Sequence, residues 1–78
     1  MPADGANKEA GMSVAKVTEI SATSSKSFED AIQQGLRRAA ETLRNIRGAW
    51  IKEQHVRCDQ ARITEYQVNM MVTFVLDD

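Results

Sequence analysis

RITEYQVNMMVTFVL, residues 62–76, is the stretch that decides the fold. Alternate positions divide it into two sets. Tyr66, Val68, Met70, Val72, Phe74 and Leu76 form one, and Ile63, Glu65, Gln67, Asn69, Met71, Thr73 and Val75 form the other. Strand side chains alternate across a sheet, so the division is geometric. The first set is almost wholly apolar and predicts a face packed on a helix. The second is half polar but also carries Ile63, Met71 and Val75, so it predicts a face that nothing in so short a chain can cover.

The elements on either side follow from this strand. AWIKEQHVR, residues 49–57, has a strand-like pattern, and CDQA, residues 58–61, reads as a hairpin connection although no Asn-Gly or Asp-Gly is present. Upstream, Phe28, Ile32, Leu36, Ala39, Leu43 and Ile46 recur every three or four residues, the period of a helix stripe. Ser27 and Asp30 stand in the spacing of a capping box. Glu29 and Asp30 at the start, with Arg44 and Arg47 at the end, suit the helix dipole. Gly48 reads as the C-cap. Gly35 interrupts the stripe at a cost of about 1 kcal/mol relative to alanine, which a close approach between the helix and another element would explain. VAKVTEI, residues 14–20, is β-prone and predicts a first strand, with SATSSKS as the turn after it. The order is β-α-β-β, an α+β class. The last strand, roughly 50 Å long if extended, is expected to run past its neighbours and leave an open edge.

MPADGANKEAG, residues 1–11, shows neither helical nor strand period and has no apolar core, so it is not a signal peptide. Residues 1–12 read as a flexible N-terminal tail and residues 13–78 as the domain. A chain of 78 residues buries only about 60–65% of the surface its unfolded form exposes. Cys58 is the sole cysteine, so no internal disulfide can form, and a cross-linked secreted scaffold is ruled out. Assembly is the expected source of further burial, and a homo-oligomer is predicted. Ten Lys plus Arg against eleven Asp plus Glu leave a formal charge of -1, without the basic excess of a nucleic-acid binder. No apolar run approaches membrane-spanning length. The cytoplasm is the expected location.

The segments VTEI at 17–20, SSKSFEDAI at 24–32, TLRN at 42–45, EYQV at 65–68 and the V-x-F-x-L ending at 72–76 together resemble the dodecins, small flavin-binding proteins. The resemblance runs over residues 13–78. It implies a three-stranded antiparallel sheet partly wrapped round one helix, and twelve copies closed into a hollow shell. It also implies flavins stacked between tryptophans near a twofold axis, a glutamine on the isoalloxazine edge, and a role in storing or buffering flavin (riboflavin or FMN) without turnover. One position departs from the pattern. Flavin-binding dodecins carry L-R-N-x-x-W after the helix, whereas Gly48 stands at that tryptophan's place and Trp50 follows two residues later. Other dodecin-like proteins are linked to calcium and to coenzyme A, so a structural, calcium-type or coenzyme A-type shell stays open beside the flavin reading.

The candidate ligand-binding residues are therefore Gln67, Trp50, Gly48 and Glu65. Trp50, the only tryptophan, offers a flat ring for stacking, although filling space at a subunit interface is the plainer reading. Gln67 can both donate and accept, matching a pyrimidine-like edge, or can serve as polar filler. Glu65 opens the EYQV motif, and with Glu19, Asp77 and Asp78 it could supply hard oxygen ligands, although their spacing fits solvated strand ends better. His55 and Cys58 form H-x-x-C, half a metal site at most, so no metal site is assigned. Met71 is expected on the same face as Gln67, where a soft side chain tolerates a flat ligand. No nucleophile with a neighbouring base is visible, and an enzyme is not expected.

Overall fold

The computed structural model describes residues 14–76; the expected tail over 1–12, and Asp77 and Asp78, lie outside the described residues. Four elements follow in order: β1 (Ala15–Ser24), α1 (Phe28–Ala39), β2 (Ile46–Asp59) and β3 (Arg62–Val75). The three strands form one antiparallel sheet in the order β1-β3-β2.

The strand expected to offer an open edge is thus the central one. β3 is flanked by β2 along its length and by β1 from Val75 back to Tyr66. Arg62–Glu65 run on past the end of β1, so an unpaired edge does exist, but it is short and its other side is held by β2. β1 is also longer than its β-prone core, because Ser21–Ser24 continue pairing with Asn69–Tyr66 where a turn was expected. Polar residues were read as a turn there, and tertiary pairing overrode that local preference.

The apolar set of β3 packs on α1. Val68, Met70 and Val72 are fully buried. Phe28, the first helical residue, meets Tyr66 edge to face at 5.1 Å between ring centroids and pins the helix start on the strand. The deepest helix positions are Ala31, Gly35 and Ala39, spaced by four; Ile32 and Leu36 flank them half-buried. A Cβ on Gly35 would stand 2.5 Å from the Met70 Cε and 3.0 Å from the Ala22 Cβ. The close approach inferred from sequence is real, and it lets α1 lie directly on β1 and β3.

Ser27 caps the helix as expected, its Oγ accepting from the Asp30 N–H at 2.9 Å. The Asp30 carboxylate accepts in turn from the Ser24 hydroxyl at 2.6 Å and from Gln34. The Ser24 hydrogen bond, with help from Gln34 and the Lys26 and Arg37 charges, holds the Asp30 carboxyl below its ordinary value against a smaller opposing effect of burial.

The helix ends earlier than its apolar stripe suggests. Ala40 is the C-cap, and the last turn carries Arg37 and Arg38 in place of Arg44 and Arg47. Tight turn bonds, Glu41 N–H to the Arg38 carbonyl and Thr42 N–H to the Ala39 carbonyl, both 3.1 Å, wind the helix out. Asn45 then adopts φ 61° and turns the chain into β2. Asparagine tolerates this left-handed conformation, so it does what was assigned to Gly48. Gly48 is not a cap; it lies inside β2, beside a bulge between Ile46 and Gly48. The hairpin turn is tighter than CDQA. Cys58 and Asp59 are paired strand residues, and Gln60 and Ala61, both at positive φ (52° and 65°), make a two-residue turn of the primed type.

β2 differs from its neighbours. None of its 14 residues is buried, and only Ile46 and Ile51 are half-covered. Helix α1 lies over β1 and β3, so among the described residues the strand carrying Trp50 has no layer packed on it.

The uncovered sheet face as candidate binding site

Register fixes what this face displays, since residues directly opposed in a sheet point the same way. The face away from α1 is built of short rows across β1, β3 and β2. Val17 faces Thr73, which faces Gly48; Glu19 faces Met71, which faces Trp50; Ser21 faces Asn69, which faces Glu53; Thr23 faces Gln67, which faces His55. Beyond β1, Glu65 faces Arg57 and Ile63 faces Cys58. The mixed face read from the alternation of residues 63–75 is therefore real, and all four candidate residues stand on it.

They do not stand together. Trp50 shares a row with Met71, whereas Gln67 is four residues further along β3, or roughly 13–14 Å. Gly48 lies one row beyond Trp50 in the opposite direction, and Glu65 one row beyond Gln67. The Trp50 ring and the Gln67 amide thus stand two rows apart on the same sheet face.

Each candidate has a defined setting. Trp50 is 53% exposed, more than any core role would leave. A Cβ built on Gly48 meets nothing within 4 Å, and its φ is not left-handed, so nothing among the described residues blocks the first atom of a side chain there. Gln67 donates from Nε2 to the Ser21 Oγ at 2.9 Å and to the Asn69 Oδ1 at 3.4 Å. Asn69 donates from Nδ2 to Glu53 Oε1 at 2.8 Å. Glu65 is engaged by the Arg57 guanidinium, Nε to Oε1 3.2 Å, and Glu19 by Lys52 at 3.3 Å. Both ion pairs are exposed and add little stability, yet they occupy carboxylates considered as oxygen ligands. Among the described residues, no three of His, Cys, Asp and Glu gather at one point.

Ser21, Asn69 and Glu53 are the members of this face that sequence reasoning missed as site residues. The alternation that placed Gln67 also placed Asn69 beside it. Ser21 lay in the stretch read as a turn, and Glu53 could be set beside Asn69 only once the bulge between Ile51 and Glu53 was known.

Against this geometry, comparison with known proteins is specific. The family model described as Dodecin matches residues 14–77. The protein named Dodecin from Thermus thermophilus is 38% identical over 65 residues, covering 83% of this chain and 94% of its own. The protein named Calcium dodecin from Mycobacterium tuberculosis is 36% identical over 63 residues, covering 81% and 89%. Among solved structures, the dodecin from Streptomyces davaonensis superposes with a TM-score of 0.82 at 32% identity, covering 87% of this chain and all of its own. Among the described residues, no helix is long and apolar enough to cross a membrane.

Proposed function

The chain belongs to the dodecin family, and from that premise we propose that it forms a homododecameric shell whose uncovered sheet faces hold a flavin, riboflavin or FMN, for storage or buffering. Family members bind ligands without converting them, and the chain is not an enzyme. The observation that carries the proposal is the bare face itself: a half-exposed Trp50 and a hydrogen-bonded Gln67 amide on one surface, two rows apart. A second copy across a symmetry axis would cover this face and bring a second ring and amide to it. The shell and the site are then one requirement, met by the apolar Val17, Met71 and Val75 of this face together with the uncovered β2.

Stacking from position 50 in place of 48 makes flavin binding weaker than a tryptophan at 48 would give. Native mass spectrometry should find a species near 104 kDa, twelve times the 8.7 kDa chain. Titration with riboflavin and FMN should quench flavin fluorescence. A stable monomer at micromolar concentration, or flavins that stay bright at every protein concentration, would remove this function. The relative named Calcium dodecin supports a second reading, a shell that binds calcium through carboxylates gathered at a symmetry axis. Calorimetric titration with calcium separates the two, since a calcium shell would take up heat-detectable calcium and leave flavin unquenched.

A further inference from the structure

The Gln67 amide is held by a chain of hydrogen bonds whose direction is set at its far end. An ionised carboxylate only accepts. Glu53 therefore requires that Asn69 turn its NH2 group toward it, as found at 2.8 Å. The Asn69 carbonyl oxygen then faces Gln67 and can be satisfied only by a donor, and the Gln67 Nε2 supplies one at 3.4 Å. Its second proton goes to the Ser21 Oγ at 2.9 Å. Both amide protons are spent inside the face, and flipping the Gln67 amide would set its carbonyl oxygen against that of Asn69.

We infer that Glu53, Asn69 and Ser21 act as positioning residues that present Gln67 to its ligand as a hydrogen-bond acceptor, so that the site selects flat heterocycles offering an imide N–H. This rests on the flavin reading and deepens it. A free glutamine could turn either end toward an imide edge, which displays one N–H between two carbonyl oxygens. A glutamine oriented by Glu53 offers its oxygen alone. The polar partner on the ligand must then be the N–H, and a ligand carrying a methyl group on that nitrogen loses the contact and meets a clash.

The experiment compares riboflavin with 3-methylriboflavin on the assembled protein, by fluorescence quenching. Wild-type protein should prefer riboflavin by about tenfold or more, because an oriented acceptor is left without a donor. Asn69→Leu cuts the chain and frees the Gln67 amide, so the preference should shrink to about threefold or less while riboflavin still binds. Glu53→Lys replaces an acceptor with a donor, which reverses Asn69 and then Gln67, and should likewise erode the preference. Side-chain amide NMR gives an independent readout: the Gln67 NH2 protons should exchange slowly in wild type and faster in either variant. Riboflavin and its methyl derivative bound equally by wild type would overturn the inference and leave flavin storage standing, as would a preference that survives both variants. Failure of wild type to bind riboflavin at all would instead bring down the storage reading, and this inference with it. Should Asn69→Leu fail to fold, Glu53→Lys and the wild-type amide exchange decide the matter.

Discussion

The two faces of β3 are made by the same residues in alternation, and they are finished to different degrees. On the helix side, Val68, Met70 and Val72 have no exposure, and a glycine was needed for α1 to come close enough. On the other side, one strand over, Trp50 stands 53% exposed, and polar groups in the neighbouring rows are bonded to one another across the strands. The first face is closed within one protomer and its side chains serve stability. The second links several of its polar groups to one another but buries little, which suits a surface completed by another molecule. If the proposed function holds, stability and binding are separated by the pleat of a single strand.

The sharpest way to break the contrast is Met70→Ala. It opens a cavity between β3 and α1 and should cost about 2–5 kcal/mol. Denaturant unfolding of the assembled protein checks it; a loss below about 1 kcal/mol would mean the helix side is no better packed than the open side. Of intermediate size, Trp50→Ala should cost less stability than Met70→Ala but weaken riboflavin by roughly tenfold, since a stacked ring contributes about 0.5–1.5 kcal/mol beyond its area. Gly48→Trp, at a position where an added Cβ meets nothing within 4 Å, should strengthen binding by a similar factor. If Trp50→Ala changes nothing and Gly48→Trp creates tight binding, the stacking place is position 48 and the natural chain leaves it empty.

The smallest effect concerns the helix start. The Asp30 carboxyl is held below its ordinary value, first by the Ser24 hydroxyl. A depressed carboxyl adds stability that is present above its unfolded value and lost as pH falls through the folded one. The wild type should therefore lose this contribution on acidification below the ordinary carboxylate range, and Asp30→Asn should flatten that part of the stability profile while leaving flavin affinity at neutral pH unchanged. Thermal melts across an acid pH series test it. An unchanged profile would show that the Ser24 contact does not persist in solution.

Much of this was legible before any coordinates. The alternation in RITEYQVNMMVTFVL named both faces correctly, because a period of two leaves a strand no other arrangement. The Ser27 cap and the close approach at Gly35 were readable too, since each residue type has few uses at such a place. Helix end and turn boundaries were less so. Leu43 and Ile46 prolong the helical period by coincidence, and the chain is turned by Asn45, whose left-handed φ is a single local event that apolar spacing does not record.

What the tertiary structure alone decided is neighbourhood. Sequence order gives β1-α1-β2-β3, but the sheet runs β1-β3-β2, and that puts the longest apolar strand in the centre and strips β2 of cover. The bulges between Ile46 and Gly48 and between Ile51 and Glu53 then fix which β2 side chains meet which β3 partners. From these follow the distance between Trp50 and Gln67 and the Glu53–Asn69–Gln67–Ser21 chain. Periodicity belongs to one strand and is written in that strand's residues. Register belongs to pairs of strands, each extra residue in a bulge shifts it, and it therefore emerges only when the strands are laid side by side.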